Sequence, residues 1–349
     1  MSRLPLGIAV LGTALALTLA GCSTPTDNPT ADPGPTTVSV DVGLDAPVEV
    51  TPPARLALFA STDYNDFSTL GHQAADAAAA EAGVTLDYFA ADVPDVQLQQ
   101  LQNAIQTGEY NGFIVQPKGP QVCEALTKEA PAAGILVAAF GNSVCGDDPL
   151  TAQEASLPGL LTWVGGTQLA GGWQELAEHA LDENPDATSL VSFGGFPALT
   201  FSVAQVTGTE AALEGSRVEN LGVIDTDYST ADALTKAQTY FLANPDTSIV
   251  ISLASSITEG LVQAIDEAGL SGIAIYDSGC SSAVLKLIVD GKVRGCLPTS
   301  PKSQYATSVK AILAAIDGKA VPRFYENDGT ENSPTYVNKD NAGGFEAPF

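Results

Sequence analysis

The chain has 349 residues, with 14 Lys and Arg against 41 Asp and Glu and a formal net charge of −27. So acidic a surface repels phosphate backbones and anionic lipid headgroups, which argues against nucleic acid as a partner and favours solubility outside the cell. The two histidines, His72 and His179, stand far apart, no cysteine spacing resembles a zinc ligand set, and no metal or cofactor is expected.

Met1-Ser-Arg3 is a short basic stretch, followed by an apolar run from Leu4 to Leu19 that is too short and too rich in Ala and Gly for a membrane span. It ends in Leu19-Ala-Gly-Cys22, which resembles the lipobox of bacterial lipoprotein signal peptides. The resemblance implies cleavage before Cys22 and lipidation of its thiol, so residues 1–22 are expected to be a signal peptide. Residues 23–53 are rich in Pro, Thr and Asp. They read as a disordered tether, although Val38-Ser-Val-Asp-Val42 has the alternation of a strand.

From Arg55 onward, short apolar runs alternate with helical patterns, the rhythm of βα units in a parallel sheet. The first unit is strand Leu56–Ser61, a polar loop, and an Ala-rich helix Ser68–Ala82 stopped by Gly83. Ligands of open α/β sheets sit outside the carboxyl ends of the strands, so the loop from Thr62 to Phe67 is the expected binding edge. Strand Val84–Ala91, helix Val96–Thr107 with Asp95 as its cap, strand Gly112–Gln116, helix Pro120–Ala132 and strand Ile135–Phe140 complete a first lobe. The irregular stretch Gly141–Pro158 reads as a crossover. A second lobe follows: strand Leu161–Gly165 and helix Leu169–Leu181, strand Ser189–Gly194 and helix Ser202–Leu213, strand Val218–Ile224 and helix Ala231–Leu242. Strand Ser248–Leu253 with helix Ile257–Ala268, strand Ile273–Tyr276 with helix Ser282–Val289, and strand Lys292–Leu297 continue it. Pro298 and Pro301 mark another crossover before helix Gln304–Ile316, and the tail carries a possible strand at Thr335–Val337.

Along this order stand the motifs Asn111-Gly-Phe-Ile-Val-Gln-Pro117, Ala133-Gly-Ile-Leu-Val137, Leu242-Ala-Asn-Pro-Asp246, Asp290-Gly-Lys292 and Gly318-Lys-Ala-Val-Pro322. In this order and spacing they resemble those of the type I periplasmic binding proteins, the ribose- and galactose-binding class that feeds ABC transporters. The resemblance implies an α/β fold of two Rossmann-like lobes with parallel sheets joined by a three-crossover hinge. It implies a first lobe of residues 54–145 plus 300–325 and a second of 146–299 plus 330–349. The hinge would lie at Gly141–Leu160, Pro298–Pro301 and Phe324–Pro334.

Carried over residue by residue, the resemblance implies that Asp63, Asn65 and Phe67 of the first loop, and Tyr228 opposite, contact the ligand. Two rings would cover the faces of a small solute. Where ribose binders place Asp-Arg, this chain has Gly141-Asn142. Gln205 replaces an Arg, Ala254-Ser255 replaces Asn-Asp, Asp277 is kept, and Thr299 replaces a Gln. The expected ligand set is therefore Asp63, Asn65, Phe67, Asn142, Gln205, Tyr228, Ser255, Asp277 and Thr299. With no Lys or Arg among them, a neutral hydroxylated solute fits best, a cationic one is conceivable and an anionic one fits poorly.

Trp163 and Trp173 fall inside a strand and a helix and read as core, whereas Phe196 and Phe201 flank a strand-end loop and are cleft candidates. Gly194-Gly195 lacks the spacing of a dinucleotide loop, no G-x-S-x-G elbow occurs, and neither His is placed for a triad, so no enzyme activity is expected. Four cysteines remain beside Cys22. Cys123 begins a helix and Cys145 lies in the loop after the next strand, while Cys280 and Cys296 bracket one helix and its return strand. Disulfides Cys123–Cys145 and Cys280–Cys296 are expected. The resulting expectation is a monomeric, lipid-anchored, extracytoplasmic binding protein that closes on a sugar or polyol and delivers it to an ABC permease. The alternatives are a nucleoside, an amino-acid derivative or a signalling molecule passed to a sensor, and, from another class, a secreted enzyme.

Overall fold

The computed structural model describes residues 36–63, 65–146, 149–326 and 336–349. The expected signal peptide, Cys22, residues 23–35 of the tether, Thr335 and residues 327–334 of the third crossover lie outside them.

Residues 36–53 are not an extended tether. β1 (Val38–Val40) and β2 (Val48–Val50) pair antiparallel. Val42, Val48 and Val50 are buried in one cluster with Leu56, Val309 and Ile312. Burying a valine stabilises by about 1.5–3 kcal/mol, which offsets part of the ordering cost, a cost that Pro47, Pro52 and Pro53 lower by restricting the unfolded chain.

The first lobe then runs β3 (Arg55–Ala60), α1 (Asp66–Glu81), β4 (Thr85–Ala90), α2 (Pro94–Thr107), β5 (Gly112–Val115), α3 (Ala130–Ala132), β6 (Leu136–Phe140), α4 (Ala152–Ala155) and β7 (Thr162–Val164). The second contributes α5 (Ala170–Glu183), β8 (Ser189–Gly194), α6 (Thr200–Leu213), β9 (Glu219–Asp225), α7 (Thr230–Ala243), β10 (Ile249–Ser252), α8 (Ser255–Ala268), β11 (Ala274–Gly279), α9 (Ser282–Val289) and β12 (Gly295–Pro298). The chain ends with α10 (Pro301–Ile316), β13 (Phe324–Tyr325) and β14 (Val337–Asn338).

These strands form two six-stranded sheets, in the orders β13-β7-β6-β5-β3-β4 and β14-β12-β11-β10-β8-β9. Every pairing is parallel except that of β14 with β12. The expected two-lobe α/β architecture is present. Central strands such as β5, β6 and β10 are buried along their whole length, as strands covered by helices on both faces must be.

Three local expectations differ. First, β7 pairs with β6 and β13, so it closes the first sheet and does not open the second. The first crossing therefore falls at Gly165–Leu169, later than the expected Gly141–Leu160. An apolar run reads the same in either sheet, and only its neighbours decide. Second, the helix expected over Pro120–Ala132 is broken into a 3-10 turn at Pro120–Val122, a π turn at Ala125–Glu129 and the short α3. Pro131 has no N–H to give to the Thr127 carbonyl, and the turn widens so that Ala130 N–H reaches the Ala125 carbonyl. Third, α2 opens on Pro94 with Val93 as its cap, and Asp95 falls inside the first turn instead of capping it.

Elsewhere local chemistry and helix starts agree. The Asn65 side chain accepts from Ser68 N–H at 3.0 Å while Asn65 N–H donates to Ser68 Oγ, a reciprocal cap on α1. Ser229, Ser281 and Ser300 cap α7, α9 and α10. Cys123 is bonded to Cys145, and Cys280 to Cys296.

Candidate functional site

At the carboxyl ends of both sets of strands the chain encloses a cavity of about 400 Å³, walled by both lobes. Pockets of about 300–1,000 Å³ hold small molecules. The first turns of α1, α6, α7, α8 and α9 all contribute to its lining. The N–H groups of these turns carry partial positive charge even where Asn65, Ser229 and Ser281 cap them, so the cavity is polar before its lining side chains are counted.

The first-lobe wall is built from three strand ends. Ser61 follows β3, Gln116 and Lys118 follow β5, and Asn142 follows β6. A fully buried residue on α2, Gln97, holds the middle segment. Its amide donates to the Gln116 carbonyl at 2.9 Å and accepts from Lys118 N–H at 2.9 Å. Lys118 itself is 2% exposed. Its ammonium donates to Gln116 Oε1 at 3.0 Å and to Ser61 Oγ. Burial pushes its pKa down to about 8, against the opposing pull of Asp92, so the ammonium still carries its proton at neutral pH. Asn142 Nδ2 donates to the Pro117 carbonyl at 2.7 Å, and Trp163 Nε1 donates to the Asn142 carbonyl at 3.2 Å. That leaves Asn142 Oδ1, buried and lining the cavity, with no partner among the described residues.

The second-lobe wall is mostly hydroxyl: Ser229 and Thr230, Ser255 and Ser256, Ser278, Ser281 and Ser282. Behind it lies Asp277, fully buried, which accepts from Thr258 Oγ1 at 2.5 Å, Cys280 N–H at 2.9 Å and Ser255 Oγ at 3.1 Å. Burial raises its pKa to about 6 despite those three donors. At the crossings, Thr299 and Gln168 line the cavity, the first bonded to Thr167 at 3.0 Å and the second accepting from Gln304 Nε2 at 2.8 Å.

Three rings close the space. Phe67 stands on α1. Phe349 meets it edge-to-face at 5.9 Å, with its carbonyl accepting from Ser282 N–H at 2.8 Å. Tyr228 sits in left-handed backbone, at φ 67°, between β9 and α7. The strain of this conformation is countered by Ser256 Oγ, which donates to the Tyr228 carbonyl at 2.6 Å. The Tyr228 ring lies against Gly195 so closely that a Cβ there would stand 2.1 Å from Cζ. Phe196 supports the same ring from outside at 5.5 Å, while Phe201 lines the cavity and packs on the buried Trp173.

Of the expected ligand set, Asn65, Phe67, Asn142, Tyr228, Ser255 and Thr299 come together on the cavity. Three do not. Asp63 is exposed and faces His72 Nδ1 at 3.2 Å. Gln205 is fully buried under the ends of β8 and β10, its Nε2 3.4 Å from the Phe193 and Ile251 carbonyls. Asp277 acts one residue back, through Ser255. The expectation that no cation reaches the site is corrected by Lys118, which the motif transfer missed. Its place just past the end of β5 was the available signal, because strand carboxyl ends carry the sites of such sheets.

Two parallel-sheet lobes with a polar, ring-walled cavity between them define a solute-binding fold. The chain belongs to the periplasmic binding protein family: residues 56–320 match the periplasmic binding protein domain. It is similar to the xylose/arabinose-binding protein XylF of Sulfolobus acidocaldarius, 24% identical over 213 residues, which are 59% of this chain and 52% of that protein. The match thus spans about half the length of that relative. Among solved structures it resembles an ABC transporter solute-binding protein from Bacillus halodurans with bound myo-inositol (TM-score 0.71, 16% identity, 85% of this chain and 98% of that one). A Mycobacterium smegmatis solute-binding protein with bound glycerol gives TM-score 0.70 at 21% identity, over 84% of this chain and 96% of that one. An Actinobacillus succinogenes protein with bound D-allose gives 0.67 at 20% identity, over 84% and 100%. Likeness at these identities establishes the shared fold.

Proposed function

We propose that this chain is an extracytoplasmic solute-binding protein, anchored by lipid at Cys22, that captures a small hydroxylated solute and hands it to an ABC importer. The observation that carries the reading is the cavity itself: about 400 Å³, with amides and hydroxyls from both lobes, the ring of Phe67 from the first lobe and that of Tyr228 from the second. Neutral donors and acceptors in number suit a sugar or polyol, whose C–H faces suit aromatic rings. The bound allose, glycerol and myo-inositol of the solved relatives, and the sugars named for XylF, support the same class.

Capture works by hinge closure about the chain crossings at Gly165–Leu169 and Thr299–Ser300 and the one between β13 and β14. A solute that touches both walls binds the closed arrangement better and shifts the population toward it. The permease then reads the closed surface. The protein acts as a monomer on a tether that begins at the lipidated Cys22.

A thermal-shift and calorimetry panel of pentoses, hexoses, polyols, nucleosides and amino acids tests the reading on the mature chain with disulfides intact. A solute at a hundredfold its dissociation constant adds about 2.7 kcal/mol and raises the midpoint visibly. Hits among sugars or polyols are expected, and hits confined to nucleosides or amino acids overturn the solute class. Cys22→Ser is expected to move the protein from the membrane fraction to the medium or periplasm; retention in the membrane overturns the anchor.

A further inference from the structure

Three charged residues line the cavity among the described residues, and they are not equivalent. Asp66 and Glu259 are exposed at its edge. Lys118 is 2% exposed. Burying an ammonium costs several kcal/mol unless an anion compensates it. Yet the oxygens that receive it, Ser61 Oγ and Gln116 Oε1, are neutral, and among the described residues no carboxylate forms an ion pair with it. Asp92 acts on it from farther away, with both carboxylate oxygens already accepting from Thr62. An ammonium has three N–H donors, and these contacts use two.

The surroundings do not substitute for the missing anion. The helix first turns that face the cavity add positive potential to that of Lys118. Asn142 Oδ1, a buried acceptor without a partner among the described residues, asks for a donor and not for a charge. The negative groups Asp66 and Glu259 stand where water screens them, and Glu259 has its pKa raised, by burial first and then by Asp66. Among the charged residues that line the cavity, Lys118 is thus the one enclosed within it, while Asp66 and Glu259 stand at its edge and the Asp277 carboxylate is set behind Ser255, already receiving three donors.

Taking the solute-binding reading above as its basis, we infer that the solute is a sugar acid, an aldonate or uronate, whose carboxylate pairs with Lys118 while its hydroxyls meet Asn142 and the serines of the second lobe. A carboxylate supplies the charge that the protein leaves out, and the neutral remainder of the lining still matches hydroxyl groups. Lys118 then selects the oxidised sugar over its neutral parent.

The test is isothermal calorimetry on the mature chain with matched pairs: gluconate and glucose, galactonate and galactose, glucuronate and glucose, xylonate and xylose, with the corresponding sugar phosphates as a third arm. At least one acid is expected to bind roughly thirtyfold or more tightly than its neutral parent, the scale on which truncating one partner of a buried charge pair is felt. In Lys118→Met that affinity ratio is expected to fall toward one. Lys118→Gln serves as a second variant should the methionine fail to fold, and the melting midpoint of each free variant checks folding. A neutral sugar or polyol binding as well as its acid overturns the inference and leaves the solute-binding reading intact. A preference for the phosphate over the carboxylate overturns the sugar-acid class while keeping Lys118 as the charge contact. Silence from acids, phosphates and neutral sugars alike overturns both the inference and the reading beneath it.

Discussion

On the first-lobe wall of the cleft a full positive charge, Lys118, reaches the cavity among neutral amides. On the second-lobe wall the full negative charge, Asp277, is set back, and only its hydroxyl partner Ser255 reaches the cavity. The difference lies in what each charge does. Lys118 presents an N–H donor of its own at the cavity lining. Asp277 accepts the hydrogen bond of the Ser255 hydroxyl, which leaves the Ser255 oxygen an acceptor, reached by Ser281 N–H at 3.3 Å. One wall presents charge directly and the other converts a hidden charge into hydroxyl orientation. The cleft therefore distinguishes its two sides although both are made of βα units with the same strand-end geometry.

The strongest way to break this comparison is to remove what staples each wall. Cys123–Cys145 sits just beyond the Gln116–Gly119 segment, and Cys280–Cys296 just beyond Asp277. With sequence separations of 22 and 16, each link is worth on the order of 3 kcal/mol or slightly more in the chain-entropy account. Denaturant unfolding of Cys123→Ala/Cys145→Ala and of Cys280→Ala/Cys296→Ala is expected to show similar losses; a loss under 1 kcal/mol in either pair would mean that wall holds its shape without the link.

The hidden carboxylate comes next. Its pKa is about 6 in the folded chain against 3.8 for the free group, so the folded state holds the proton more tightly. On this group's account stability is greatest below about pH 4 and declines as pH rises through about 6, by on the order of 3 kcal/mol in all. Asp277→Asn is expected to remove that part of the slope between pH 4 and 7 in a buffered series of melting curves. An unchanged slope would show that the carboxylate is not the titrating group. The same variant scrambles the orientation of Ser255 and is expected to weaken solute binding.

Smaller effects sharpen the roles of the rings. Gly195→Ala places a Cβ into the Tyr228 ring and must displace it, so an affinity loss of about tenfold or more is expected, together with an overpacking cost of about 1–3 kcal/mol in the free protein because Tyr228 belongs to the second-lobe core. Calorimetry with the solute found in the panel checks this, and an unchanged affinity would remove Tyr228 from the site. Phe349→Ala deletes an edge-to-face pair with Phe67, worth about 0.5–1.5 kcal/mol, so affinity is expected to drop by about two- to tenfold. A loss of stability without a loss of affinity would make Phe349 a packing residue of the second lobe.

Much of this molecule is legible in its sequence because its signals are local. Apolar runs, Gly stops and Ser or Asn caps locate most strands and helices between Arg55 and Ile316, and the cysteine positions predict both bonded pairs. The site was legible wherever a family position coincides with a strand end, as for Asn65, Asn142, Tyr228, Ser255 and Thr299. It was not legible for Gln205, which sits far enough into α6 that its side chain points beneath the sheet ends, nor for Asp63, which turns to His72. Phe349 is remote in sequence from every other residue of the cavity, and no periodicity connects it to Phe67.

What the sequence determines by itself is the alternation of strand and helix, and with it the two-lobe class, because hydrophobic period and capping act over a few residues. Tertiary structure alone decides that β7 belongs to the first sheet, that the valines of residues 38–50 are core, and that Lys118 is enclosed without a carboxylate partner among the described residues. Each of these depends on which distant segments become neighbours. Burial, unlike period, is a property of the surroundings and not of the residue.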